Sequence, residues 1–153
     1  MKIRLYVLQH GDAVSKEEDA ERPLSDDGRR CIERIAEHLV KKDVLIQRIV
    51  HSSKLRASQT ATIISEKLAP DIDPEVVEGI SPNDDPKKFI ENISSTEGTV
   101  LIASHMPFVS NLCSILLTGK PDAQFGFTPG TIACVGYEEG KWSLMCMLRP
   151  EVL

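Results

Sequence analysis

Apolar positions along the chain fall into two kinds of run. Ile3 to Leu8 is rich in β-formers and gives way to Gln9-His10-Gly11-Asp12, which predicts a first strand ending in a turn. Ser15 to Arg22 is polar and acidic, as expected of a surface loop or a short irregular helix. Ser25-Asp26-Asp27-Gly28 then opens a helix in which Ile32, Ile35, Ala36 and Leu39 recur at helical spacing as far as Lys41-Lys42, with His38 off the apolar face. The short apolar run Arg48-Ile49-Val50-His51 yields to Ser52-Ser53. A second helix follows, with Ala57, Ala61, Ile64 and Leu68 on one face and Pro70 at its end. Glu75 to Ile80 reads as a further strand, and Ser81 to Pro86 as a loop that starts a helix near Lys87. Thr99 to Ala103 is apolar on both faces, the mark of a central parallel strand. After Ser104-His105-Met106, Pro107 suits the first turn of a helix through Phe108, Val109, Leu112, Cys113 and Leu116. Two last strands, about 131–137 and 142–148, are joined by the hairpin signal Glu138-Glu139-Gly140.

Strands alternating with helices predict a three-layer α/β/α architecture: a mostly parallel central sheet, helices on both faces, and a C-terminal hairpin as the exception. No repeat, low-complexity tract or linker divides residues 1–153, so a single domain is expected.

Composition narrows the function classes. The 153 residues are 41% hydrophobic and 27% charged with a net charge of -5, as in a soluble globular domain. A chain of this length buries roughly 70% of its unfolded surface, enough to fold without a disulfide or a metal. With 23 acidic and 18 basic residues and no basic run, the sequence lacks a nucleic-acid footprint. Cys31, Cys113, Cys134 and Cys146 are widely spaced in or beside apolar stretches, as expected of buried free thiols in a reducing compartment. The first eight residues carry charge within their apolar run and no cleavage signal, and no stretch is long enough to span a membrane. A cytoplasmic location is the expectation.

In an open α/β sheet, ligands bind where loops leave the carboxyl ends of parallel strands. Three such loops carry chemistry: one holds His10, one holds Ser52 and leads to Arg56, and one holds His105. Any one of these side chains alone is commonly a hydrogen-bonded loop residue or a solvated helix residue, and His51 and His38 are read that way. Together, two imidazoles and a guanidinium beside two helix N-termini would attract an anion, most naturally a phosphoryl group. Metal binding fits less well. There is no H-x-x-x-H or H-E-x-x-H, and only Asp12 adjoins a candidate histidine.

Leu8-Gln9-His10-Gly11-Asp12 resembles the R-H-G signature of the histidine phosphatase superfamily, the phosphoglycerate-mutase-like enzymes. Residues Ser52-Ser53-Lys54-Leu55-Arg56-Ala57-Ser58-Gln59-Thr60 resemble its S-P-x-x-R-A-x-Q-T, and Ala103 to Pro107 its late S/T-H segment. Arg22-Pro23-Leu24-Ser25 and Phe127 to Ala133 bring the chain nearest to the SixA branch, the phosphohistidine phosphatases. Two positions depart: Gln9 stands where the family has a phosphoryl-contacting arginine, and Ser53 where it has proline. A serine there can cap the helix. Glutamine keeps a hydrogen-bond donor but loses the charge and the bidentate fork.

The resemblance implies a metal-independent, cofactor-free hydrolase in which unprotonated His10 attacks phosphorus and water releases phosphate from the intermediate. It implies Arg56 and His105 as the other catalytic groups, and Gln9, Gly11, Arg22 and Ser52 as phosphate-binding residues. Glu78, with Asp12 behind it, is the candidate general acid. The implied substrate is phosphohistidine on a phosphorelay or phosphotransfer protein, placing the enzyme in signal transduction. Two rival readings remain open: a phosphatase of small phosphoesters or another phosphoprotein, and a non-catalytic phosphate-binding module prompted by Gln9.

Overall fold

β-branched and aliphatic residues with period two build the sheet in the computed structural model, which describes residues 1–153. β1 (Ile3–Gln9) sits near its centre, alternating Leu5 and Val7 toward one face with Tyr6 and Leu8 toward the other. α1 (Asp26–Lys41), β2 (Arg48–His51), α2 (Leu55–Leu68), β3 (Glu75–Val76), α3 (Pro86–Ile93), β4 (Gly98–Ser104), α4 (Phe108–Thr118), β5 (Ile132–Glu138) and β6 (Lys141–Leu148) follow, with a short 3-10 turn at Pro150–Val152.

The six strands lie in the order β3-β2-β4-β1-β5-β6. The first four in that row are parallel, β5 runs antiparallel to β1, and β6 returns along β5. Helices α1 and α2 cover one face over a core of Leu8, Ile32, Ile35, Ile49, Ile64 and Leu101. On the opposite face, α3 and α4 pack Phe89, Phe108 and Leu112 against Leu5, Val7 and Ile102. No helix is long and apolar enough to cross a membrane.

The helix signals have physical counterparts. Ser25 caps α1 by accepting the Gly28 N–H, with Asp26 and Asp27 in the first turn, and Asp85 caps α3 before Pro86. Four expectations need correction. The strand expected over 75–80 stops at Val76: the chain leaves the edge of the sheet, and Gly79 turns it at φ 83° so that Ile80 enters the core. Pro107 precedes α4 as its N-cap residue instead of lying in the first turn. Ser53 does not cap α2, whose N-cap is Lys54. Cysteines 113 and 134 are buried free thiols as expected, but Cys31 is half-buried and Cys146 exposed, because edge strand β6 shows its outer face to solvent.

Candidate active site

The register Gln9↔Ser104 between β1 and β4, and His51↔Ala103 between β4 and β2, aligns three parallel strand ends along one edge. The residues that follow them meet there. His10 and His105 face each other with ring centroids 4.9 Å apart, tilted by 56°. Arg56, in the first turn of α2, donates from Nε to Nε2 of His10 at 3.3 Å. The crevice expected from loop placement therefore exists, with two imidazoles and a guanidinium in it.

Hydrogen bonds assign the tautomer of His10. Arginine has donors only, so Nε2 of His10 accepts and is unprotonated. The proton is on Nδ1, which donates to the Gly11 carbonyl at 2.7 Å. His105 is held differently: its Nε2 lies 2.5 Å from the Ser52 hydroxyl, which accepts the Lys54 N–H at 3.4 Å, while its Nδ1 is buried with no partner. Both rings stay neutral well into acid. Burial, opposed by the Gly11 carbonyl and aided by Arg56 and Arg22, lowers His10 to about 4. Burial first, then the His10, Arg56, Lys54 and Arg22 charges, lowers His105 to about 3. Arg56 itself is pushed down from the ordinary guanidinium value by burial and by Arg22.

Gly11, expected among the phosphate-binding residues, is buried just beyond the end of β1. Its N–H is taken by the Thr60 hydroxyl at 3.1 Å, and Thr60 in turn donates to the Arg56 carbonyl at 2.8 Å. Glycine is required for space, since a Cβ there would lie 2.9 Å from Ile32 Cγ1 and 3.0 Å from the Gly28 carbonyl. Ser52 is buried, and its hydroxyl is engaged with His105. Gln9 is only 8% exposed beside His10, and its Oε1 finds no donor. Glu78 is exposed on the loop after β3, with no ion pair to any of the other candidates.

Arg22 reaches the crevice along an excursion between β1 and α1. Ala13 bridges Leu24, Val14 N–H donates to Pro23, and Arg22 takes φ 48° with its Nε on the Val14 carbonyl at 3.1 Å. Gln59 anchors this loop by accepting the Leu24 N–H at 2.7 Å. Arg22 and Arg56 thus share a cleft of about 420 Å³ beside the histidines. Sequence reasoning assigned no role to Gln59 or Thr60, although both stand in the motif whose Arg56 it selected. Helical spacing was the available signal: three and four residues beyond Arg56, both return to its side of the helix. No three His, Cys, Asp or Glu side chains come together in a metal-binding group.

The arrangement presents an unprotonated imidazole nitrogen beside guanidinium charge, a site for a phosphoryl group. The chain belongs to the histidine phosphatase superfamily: the model of its branch 1 matches residues 5–81, half of the length. Phosphohistidine phosphatase SixA of Escherichia coli strain K12 is 29% identical over 143 residues, covering 90% of this chain and 87% of that one. A solved structure of the protein histidine phosphatase SixA complexed with tungstate superposes with a TM-score of 0.85 at 27% identity, over 97% of this chain and 98% of the other. Phosphoserine phosphatase of Entamoeba histolytica, solved with 3-phosphoglyceric acid, shares the fold at a TM-score of 0.76 and 16% identity, over 96% and 97% of the two chains. A phosphatase activity is supported, at the level of the superfamily.

Proposed function

We propose that the protein removes the phosphoryl group from phosphohistidine on another protein, with His10 as the covalent nucleophile. The observation that carries this reading is the fixed tautomer of His10: Gly11 holds the Nδ1 proton, leaving the Nε2 lone pair beside Arg56. In the first step Nε2 forms a bond to phosphorus as the substrate's N–P bond breaks, and the departing imidazole takes up a proton from solvent. In the second, water attacks phosphorus, the His10–phosphorus bond breaks, and phosphate leaves with the ring restored.

The remaining groups act on charge. Arg56 and Arg22 clamp the equatorial oxygens as negative charge spreads over them. The Ser52 hydroxyl and Nε2 of His105 lie 2.5 Å apart, a contact that fixes the orientation of the His105 ring. Ser52 is thus a positioning residue for His105. Glu78, the candidate general acid, is exposed and makes no ion pair with the cluster. An alkoxide needs a proton as it leaves, whereas imidazole departs from phosphorus with far less help, so this site suits an N–P bond better than an ester. The tungstate in the SixA structure is a tetrahedral oxyanion of the kind such a crevice would take. A cytoplasmic phosphorelay protein is the matching partner.

The test offers purified protein a histidine-phosphorylated protein and an aryl phosphate. We expect release of phosphate chiefly from the former and a loss of at least a thousandfold in His10→Asn. Turnover that survives His10→Asn rules out the covalent route, and phosphate binding without turnover of either substrate supports the binding module.

A further inference from the structure

The cleft beside Arg56 carries more positive charge than one phosphoryl group uses. Lys16 and Arg22 come from the excursion before α1, and Lys54 and Arg56 from the start of α2, yet all four line the same space of about 420 Å³. None of the four has a carboxylate within ion-pair distance. Glu21 is the only acidic residue in the lining. Bringing these cations together is unfavourable: burial first, and then the charge of Arg22, lowers Arg56 from the ordinary guanidinium value. Arg22 gives only its Nε to the protein, leaving the rest of its fork free. On the other side of His105 the surroundings change. A groove of about 810 Å³ runs past Met106, Pro107, Asn111, Phe125 and Phe127, with Asp122 as its one charged residue. The crevice is therefore flanked by a cationic side and a largely uncharged one.

We propose that Lys16 and Lys54 form a second anion subsite, which takes an acidic side chain of the protein substrate next to its phosphorylated residue. The proposal rests on the function argued above and adds a rule of substrate choice. With Arg22 and Arg56 on the phosphoryl group, the two lysines lie outward along the same cleft. They meet an aspartate or glutamate one or two residues away, or adjacent on the partner's surface. Net charge of -5 would repel an acidic partner over most of the surface, so the attraction is confined to this mouth and fixes which way the partner docks.

The probes are peptides phosphorylated on a single histidine by phosphoramidate, one series flanked by Asp and Glu and one by Ser and Gly, with free phosphoramidate as a substrate that cannot reach the lysines. Wild type should favour the acidic peptides about tenfold in kcat/KM through KM, more at low salt than at high. The Lys16→Glu/Lys54→Glu variant should lose or reverse that preference, read as the ratio of the two peptide series so that any loss shared with free phosphoramidate cancels. The same peptides with a phosphonotriazole in place of phosphohistidine, followed by fluorescence anisotropy, read the subsite even if nothing is turned over, which separates it from the phosphatase reading. Equal affinity for both series in wild type, or a preference that survives the double reversal, overturns the proposal. If small dicarboxylate or diphosphate esters compete through the lysines and acidic peptides do not, the protein partner is wrong and the proposal falls.

Discussion

Two histidines 4.9 Å apart are engaged by their neighbours at different nitrogens. A backbone carbonyl holds the proton of His10 on Nδ1, and a hydroxyl faces Nε2 of His105. Next to His10, at the end of β1, Gln9 stands where the family has an arginine. A hydrogen bond to a charged group is worth ~1.5 to 3 kcal/mol, so the loss of charge there weakens transition-state binding by roughly ten- to a hundredfold. Gln9→Arg should therefore raise kcat with phosphohistidine by about that factor. A fall in kcat would mean that the pocket is built around the amide, whose Oε1 already sits sealed from water without a donor. Legibility at this scale follows from the same facts. His10 and His105 could be read because each follows a strand end directly, and Arg56 because the loop after β2 leads into its helix. The parts played by Gly11 and Ser52 could not, since they depend on which atoms Thr60 and His105 claim from elements about 50 residues away.

Helix α2 ties the site together at the scale of elements. Within five consecutive positions, Arg56 enters the crevice, Ala57 is fully buried, Gln59 holds the 13–24 excursion, and Thr60 holds Gly11 just after β1. Thr60→Val keeps the shape but leaves the buried Gly11 N–H without an acceptor, which should cost about 1 to 3 kcal/mol of stability. Since that N–H fixes the carbonyl that orients His10, kcat should fall as well at temperatures where the variant is fully folded. Urea unfolding and single-turnover kinetics on the same sample separate the two effects, and an unchanged rate would show that the link is structural only. Helix spacing made α1 and α2 readable, and alternating with strands they implied the layered sheet. Strand order was not readable. Parallel β4 lies between β1 and β2 because of long-range pairing, and antiparallel β5 joins the other side of β1, a choice that no local pattern encodes. β3 shrank to two residues because an edge strand needs only as much pairing as the path to Ile80 allows.

For the molecule as a whole, the site is a source of acid sensitivity. An imidazole in an unfolded chain takes up its proton near pH 6.5, whereas His10 waits until about 4 and His105 until about 3. Above pH 6.5 both rings are neutral in either state, and stability does not depend on them. As the pH falls below 6.5, the unfolded chain binds protons that the folded one refuses, so acid favours unfolding. Down to pH 5 each ring withdraws about 2 kcal/mol, a large part of the ~5 to 15 kcal/mol typical of a domain. The window matters because Glu75 and Glu138, held down by Arg48 and Lys2, titrate below it. The free energy from urea unfolding should fall between pH 7 and pH 5, and His10→Asn/His105→Asn should flatten that slope whatever it does to stability at pH 7. Inorganic phosphate should protect wild type most at the acid end, because an anion in the crevice offsets the charge that burial opposes and binds only the folded state. An equal slope in the double variant would place the acid sensitivity elsewhere, and equal protection by phosphate at pH 7 and pH 5 would separate phosphate binding from the protonation of these rings.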